Sequence, residues 1–167
     1  MPIYENTKDR EQQMMAAFQY ESLLRRLGAG PVRCIETPEY RREHYDFELH
    51  VHERWTSVIE IKSRVVTSRQ IEEWGTIVVE VERLTELRKQ FLSKSEITGK
   101  TFWTKEVIFV FRCTKDDTCF AVNIREIVKH WDDLEDAPPE MLKLDHGEGL
   151  KDCSGKLVPI SLMERFT

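Results

Sequence analysis

The sequence predicts one α/β domain in which an N-terminal helix and a second helix pack on a central mixed β-sheet. Three observations favour this class. A chain of 167 residues with 40% hydrophobic residues is long enough to bury one core and short for two domains. A helical run free of Gly and Pro comes first, and runs that alternate between apolar and polar residues follow it. One run further along is apolar on both faces, which is typical of a strand covered on both sides.

The N-terminal helix is predicted over residues 9 to 27, "DREQQMMAAFQYESLLRRL", and "GAGP" ends it. At about 100° per residue, Glu21 falls inside a cluster of apolar residues on one side of this helix. The cluster consists of Met14, Ala17, Phe18 and Leu24. A carboxylate is therefore predicted to point toward the core.

The stretch "YDFELHVHERWTSVIEIKSR", residues 45 to 64, contains two alternating runs that predict an antiparallel hairpin. The apolar positions of these runs are Phe47, Leu49, Val51, Ile59 and Ile61. If the polar faces of the two strands coincide, Asp46 lies opposite or diagonal to Glu60 and Lys62, since such neighbours are about 5 to 8 Å apart. The hairpin thus predicts that these three charged groups converge.

The remaining elements predicted are a first strand over 31 to 37, a strand over 76 to 83, a helix over 84 to 94, and strands over 106 to 113 and 119 to 128. The apolar run from Val107 to Phe111 predicts the middle strand of the sheet. We divide the chain into a core over 1 to 130 and an acidic C-terminal extension over 131 to 167, packed on the same domain.

Composition limits the class of protein. With 30 acidic and 25 basic residues the chain is mildly acidic, so binding to nucleic acid would need a local basic surface. Its four cysteines have no CxxC spacing, and neither a signal-like segment nor a run of about 18 apolar residues occurs. These features predict a cytoplasmic protein with reduced thiols and no membrane span.

Two carboxylates that converge on a sheet repel each other unless a cation lies between them. Hard oxygen ligands of this kind suit Mg²⁺ or Mn²⁺. Lys62, on the same face as Glu60, can hold a water beside the metal or stabilise negative charge as phosphorus is attacked. The arrangement therefore indicates a metal-dependent reaction at phosphorus.

The helix with Glu21, then Asp46, then "IEIKSR" resembles the PD-(D/E)xK superfamily of restriction endonuclease-like nucleases. The resemblance is strongest to small members such as the archaeal Holliday-junction resolvases and phage-encoded relatives. It implies a restriction endonuclease-like fold and a Mg²⁺-dependent endonuclease that hydrolyses phosphodiester bonds in DNA by attack of a metal-bound water, leaving a 5′-phosphate and a 3′-hydroxyl. It also allows a homodimer.

The resemblance assigns roles to individual residues. Asp46, Glu60, Ile61 and Glu21 are the implied metal ligands, and Lys62 orients or activates the water. Arg64, in the polar pair that follows, and Gln70 are candidate substrate contacts on the same resemblance. Arg25 is a further candidate, as one of several basic residues that could meet phosphate. The match departs from the family pattern because Tyr45 replaces its Pro and because a predicted strand, 76 to 83, precedes the second helix.

Several alternatives stay open at this point. The hairpin could be an ordinary charged surface, and the same fold could serve as a catalytically inactive DNA-binding or assembly module. Glu21 could instead pair with Arg25, and Glu11 occupies a neighbouring sector of the helix. Trp55 could stack on a base or pack on the first helix. The polar residues Glu48, His50, His52, Glu80 and Glu82 are interpreted as solvated bystanders.

Overall fold

The computed structural model describes residues 3–38, 45–138 and 154–167, with side chains from Arg10 onward. Its helices are α1 (Ile3–Arg26), α2 (Ser68–Trp74), α3 (Val81–Phe91) and α4 (Ile124–Lys129). Its first five strands are β1 (Val32–Glu36), β2 (Phe47–Val51), β3 (Arg54–Arg64), β4 (Thr76–Glu80) and β5 (Leu92–Lys94). The others are β6 (Thr101–Trp103), β7 (Glu106–Cys113), β8 (Cys119–Asn123), β9 (Gly155–Pro159) and β10 (Glu164–Phe166).

The central sheet has six strands in the order β1-β2-β3-β7-β8-β10. Strands β3 and β7 are parallel, with Glu60 beside Phe109, and the other neighbours are antiparallel. A mixed sheet with helices packed on it confirms the predicted fold class. The prediction that β7 lies in mid-sheet is confirmed as well, because β3 and β8 flank it and its residues are buried from Val107 onward.

Helices cover the sheet on its two faces. The α1 face buries alternate residues of the middle strands, such as Ile59 and Ile61, against Ala16 and Leu23 of α1. The opposite face buries the other set, with Val58 and further residues packed against α2, α3, α4 and β4. The alternation of β3 therefore directs Glu60 and Lys62 away from α1 and toward α3.

The buried side of the first helix overlaps only in part with the predicted one. The structure buries Ala16, Ala17, Tyr20 and Leu23, whereas Phe18 is 57% exposed. The prediction was right for Ala17, and Leu24 packs partly buried beside this cluster. It was wrong for Met14 and Phe18, because the smaller Ala16 and Ala17 allow the helix to lie close to the sheet.

Helix α2 lies in a polar stretch for which the sequence pattern predicts no element. Thr67 caps it and exchanges hydrogen bonds with Gln70, and Gly75 ends it with a φ of 73°. Seven residues are too few for a clear helical period, so the capping residues carry the signal. Two predicted strands are shorter than expected, because α3 begins at Val81 and α4 begins at Ile124.

The C-terminal part of the chain contributes strands to the body. Strand β9 pairs with β4, and β10 pairs with β8 as the sixth strand of the central sheet. Much of the acidic, Gly-rich part of the predicted extension lies in residues 139–153, outside the described residues. In the described ranges, no helix is long and apolar enough to cross a membrane.

Candidate active site

A cluster of charged side chains surrounds the middle of β3. Glu60 and Lys62 come from β3 itself, and Asp46 lies immediately before β2. Glu80 ends β4, and Arg83 lies in the first turn of α3. The structure thus brings together three of the four predicted catalytic residues and adds Glu80 and Arg83 to them.

Glu60 is the most deeply buried acid of the cluster, at 4% exposed. Both of its carboxylate oxygens accept hydrogen bonds from Arg83, at 2.8 Å from Nε to Oε1 and 2.8 Å from Nη2 to Oε2. Helix α3 packs through Leu84 and Leu87, which places the preceding Arg83 over the sheet. Burial alone would lower the pKa of Arg83, but the hydrogen bonds and charge of Glu60 keep it above its ordinary value. The pair is therefore a buried, charge-assisted, bidentate contact.

Lys62 lies between two acids at the solvent side of the cluster. Its Nζ is 3.8 Å from Oε1 of Glu60 and 3.9 Å from Oε1 of Glu80. About a third of its side chain is exposed, against 14% for Glu80. The ammonium can therefore meet a ligand that approaches from solvent while its position is set by the two carboxylates. Glu80, interpreted from sequence as a solvated bystander, faces this cluster instead.

Asp46 is held at the same part of β3 through the backbone. Its Oδ2 accepts a hydrogen bond from the Ile61 N–H at 2.8 Å, and its Oδ1 lies 3.8 Å from Arg10 of α1. Burial, followed by the charge of Glu60, raises the pKa of Asp46 to about 7, although the Ile61 N–H, Lys62 and Arg10 oppose this rise. The two carboxylates thus repel each other in the folded protein, which is the electrostatic problem that a cation would relieve.

The donor atoms of this cluster fit Mg²⁺ by type. Asp46 and Glu60 supply hard carboxylate oxygens, and Mg²⁺ commonly uses one or two carboxylates while keeping several waters. Within the described residues, no group of three or more His, Cys, Asp and Glu side chains is arranged to hold a metal ion. A cation here would therefore rest on the Asp46–Glu60 pair and would share Glu60 with Arg83.

Glu21 is directed to another part of the sheet. Its Oε2 accepts a hydrogen bond from the backbone N–H of Cys34 at 3.0 Å, and its Oε1 pairs with Arg25 at 2.5 Å. The contacts of Glu21 are therefore to edge strand β1 and to its own helix, and the structure does not bring it to Asp46. Glu11, the alternative on this helix, is exposed.

The three predicted substrate contacts have different surroundings. Gln70 is used in the N-terminal cap of α2, where its side chain accepts from the Thr67 N–H. Arg25 is engaged by Glu21 and by a backbone carbonyl of β1. Arg64 follows Lys62 on the same face of β3 and lines a groove at the end of that strand. Of the three, Arg64 is thus the one that adjoins the cluster.

Other sequence candidates have structural contacts. Glu48 accepts a hydrogen bond from the Tyr45 hydroxyl at 3.1 Å and lies 3.2 Å from Nε2 of His50. Trp55 packs beside Tyr45, with ring centroids 6.2 Å apart, on the face opposite α1. Lys105 lies 4.8 Å from the centre of the Trp55 ring. Packing of Trp55 on the first helix, one of its two predicted roles, was therefore wrong.

Sequence reasoning missed Arg83 and Arg10. Arg83 precedes the buried Leu84 in the first turn of the amphipathic helix α3. Arg10 lies over the ring of Phe47, at 4.7 Å, and donates to the Asp46 carbonyl. Neither contact had a sequence signal, because both join residues from separate elements.

The fold and this cluster together define a mixed α/β protein with a buried ionic centre on its middle strands. Among solved structures, the chain is similar to that of a nuclease from a fusselovirus, with a TM-score of 0.52 and 13% sequence identity. The alignment covers 95% of this chain and 86% of the fusselovirus protein. The sequence matches no protein-family profile and no curated protein. The structural similarity shows a shared fold.

Proposed function

We propose that this protein is a metal-dependent nuclease of the PD-(D/E)xK type that hydrolyses phosphodiester bonds in DNA. The observation that carries the proposal is the convergence of Asp46, Glu60 and Lys62 on one part of β3. Lys62 Nζ lies 3.8 Å from Glu60, and the backbone N–H of Ile61, between these two residues, donates to Asp46 at 2.8 Å. The fold shared with the fusselovirus nuclease supports it.

Each residue has a distinct part in the proposed reaction. Asp46 and Glu60 would hold Mg²⁺ or Mn²⁺, with the backbone of Ile61 fixing the Asp46 carboxylate. Such a cation polarises a phosphoryl oxygen and lowers the pKa of a bound water. The water oxygen would bond to phosphorus and release a proton to solvent, while the bond to the 3′-oxygen breaks and that oxygen takes up a proton. Lys62 would stabilise the negative charge that grows on the phosphoryl oxygens in this step. Glu21, which contacts β1, is left out of the proposed reaction.

Arg83 favours a second candidate function. Because it binds both oxygens of Glu60, the cluster is already neutralised in part without a metal. The alternative is therefore a catalytically inactive DNA-binding or assembly module in which the Glu60–Arg83 pair has a structural part. The two candidates differ in whether Mg²⁺ acts on the protein at all.

The decisive experiment measures cleavage of supercoiled plasmid, single-stranded DNA and a four-way junction in Mg²⁺, Mn²⁺ or EDTA. We expect the wild type to cleave DNA only when Mg²⁺ or Mn²⁺ is present. The cleavage rate of Lys62→Met is expected to be lower by about 100-fold or more, since removing one group that stabilises the transition state costs about this much. Lys94→Met, which removes an exposed lysine on β5, serves as the matched control.

The same proteins are melted with and without metal ion to separate the two candidate functions. A nuclease of this type is expected to melt at a higher temperature in Mg²⁺ or Mn²⁺. Wild-type cleavage that survives in Lys62→Met would remove Lys62 from the reaction. A protein that neither cleaves these substrates nor responds to metal ions would instead support the inactive module.

A further inference from the structure

A groove opens at the end of β3, directly beyond Lys62. It has a volume of about 590 Å³ and lies between the end of β3, helix α2 and the β4–β9 pair. Its walls are largely apolar, with Val65 and Trp74 among them, and Arg64 lies at one side. A volume of this size is typical of ligand-binding clefts.

The groove continues the charged cluster along two strands. On β3, Arg64 follows Lys62 on the same face at a distance of about 7 Å, because alternate residues of a strand share a face. On β4, Val78 and Thr76 lie on the same face as Glu80, and both line the groove. Since Glu80 approaches Lys62, the groove adjoins the charged cluster along these two strands.

The walls of the groove carry large apolar groups that are open to solvent. Trp74, at the end of α2, is 57% exposed, and Val65 is 76% exposed. Exposed aromatic and apolar surface beside a polar cleft is typical of a binding site. A ligand that suits the groove and the adjoining cluster has a flat, weakly polar part for Trp74 and an anionic part for Arg64 and Lys62.

We propose that this groove binds an unpaired nucleobase of the substrate strand next to the phosphate that is cleaved. The base stacks on Trp74, and Arg64 contacts the phosphate between the groove and Lys62. A base in a continuous duplex would first have to leave its stack and its pair, at a cost that an unpaired base does not incur. The substrate class is therefore DNA with an unpaired nucleotide beside the cut. This inference rests on the proposed nuclease function.

The test measures binding of the full-length protein to fluorescein-labelled single-stranded DNA, and to a blunt duplex of the same sequence, by anisotropy in EDTA. Trp74→Ala is expected to weaken binding to the single strand about 10-fold, because base stacking on an aromatic residue contributes on this scale. Trp74→Phe is expected to keep binding within about 3-fold, since phenylalanine retains a stacking surface. Binding to the duplex is expected to stay unchanged in each variant.

A control variant and a fluorescence measurement test whether the loss of affinity is specific to Trp74. Phe18→Ala is the matched control, because Phe18 is as exposed as Trp74 but lies on α1 across the sheet. Quenching of tryptophan fluorescence by single-stranded DNA is expected in the wild type and is expected to be weaker in Trp74→Phe, in which the affinity is retained.

The inference would be overturned if Trp74→Ala lost affinity equally for the single strand and the duplex. It would also be overturned if Trp74→Ala bound the single strand as tightly as the wild type does. Cleavage that needs Lys62 but not Trp74 would leave the proposed function standing and refute the base site. Single-strand binding that needs Trp74, without any cleavage, would support the base site and refute the nuclease. A protein with no affinity for DNA would refute both.

Discussion

Replacing Arg83 with methionine is expected to lower the free energy of unfolding by about 4 kcal/mol at pH 8, as measured by urea denaturation in EDTA. Removing one partner of a buried ion pair typically costs about 3 to 5 kcal/mol, because the remaining charge stays buried without its counter-charge. Glu60 is 4% exposed. In Arg83→Met its charge would be repelled by Asp46 and offset by Lys62, 3.8 Å away. Methionine keeps much of the volume of the side chain, so that the loss reports mainly on charge.

Mg²⁺ is expected to restore part of this stability if the cluster holds a metal ion. A ligand at 100 times its dissociation constant adds about 2.7 kcal/mol to a protein that binds it in the folded state alone. The matched control is Arg69→Met, which breaks an exposed pair with Glu73 on α2 and should change stability by less than about 1 kcal/mol. An Arg83→Met protein as stable as the wild type in EDTA would show that the buried pair contributes little.

Replacing Asp46 with asparagine is expected to stabilise the protein at pH 8 by up to about 4 kcal/mol in EDTA. The pKa of Asp46 is raised from 3.8 to about 7 in the folded state, so the folded protein binds the proton more tightly than the unfolded chain does. Wild-type stability therefore falls as the pH rises from about 4 to about 7. Each tenfold difference in proton affinity between the folded protein and the unfolded chain contributes about 1.4 kcal/mol to this fall. Asparagine cannot ionise, yet its side-chain oxygen can still accept from the Ile61 N–H.

The measurement compares urea denaturation of the wild type and Asp46→Asn at pH 4 and pH 8. The stabilisation should be small at pH 4, where the wild-type carboxyl is largely protonated in the folded protein. Asp116→Asn serves as a control that is expected to destabilise the protein. Hydrogen bonds from Ser68 and Thr118 outweigh burial and lower the pKa of Asp116, so its ionised form stabilises the fold. That contribution is present above the ordinary pKa of aspartate and is lost as the pH falls. A gain for Asp46→Asn that is equal at both pH values would contradict the assigned cause.

The charged cluster is held at some cost to the stability of the protein. Asp46 and Glu60 destabilise each other when both are ionised, and Arg83 and Lys62 offset this repulsion. Groups that lower stability in the folded state are common where a protein binds or reacts. A substitution that stabilises the protein and abolishes cleavage would be the signature of a functional site at Asp46.

The central hairpin could be predicted from the sequence because its pattern is local. Alternating residues from Phe47 to Val51 and from Val58 to Lys62 define the faces of β2 and β3, and the polar residues between them mark the turn. The observed register has Phe47 opposite Ile59, so Asp46 comes next to this pair and its side chain accepts from the Ile61 N–H. A period of two residues was thus sufficient to bring the Asp46, Glu60 and Lys62 positions together.

Contacts between distant elements could not be predicted in this way. Glu21 lies near the buried side of α1, as its position indicates, but which strand lies beneath it depends on how the helix crosses the sheet. The Glu60–Arg83 pair depends on the packing of α3, which is set by Leu84, Leu87 and Phe91. Such contacts follow from the assembly of elements, for which a single sequence gives no direct signal.

The parallel pairing of β3 with β7 has a consequence for how fast the protein folds. Ser57 pairs with Glu106, and α2, β4, α3, β5 and β6 lie between these strands along the chain. Contacts between residues so far apart require a large loop to close before they contribute, which slows folding. The hairpin of β2 and β3 can form early, but Glu60 becomes buried only when α3 and β7 have docked beside it. We therefore expect the ionic cluster to form late, after the rate-limiting closure of the sheet.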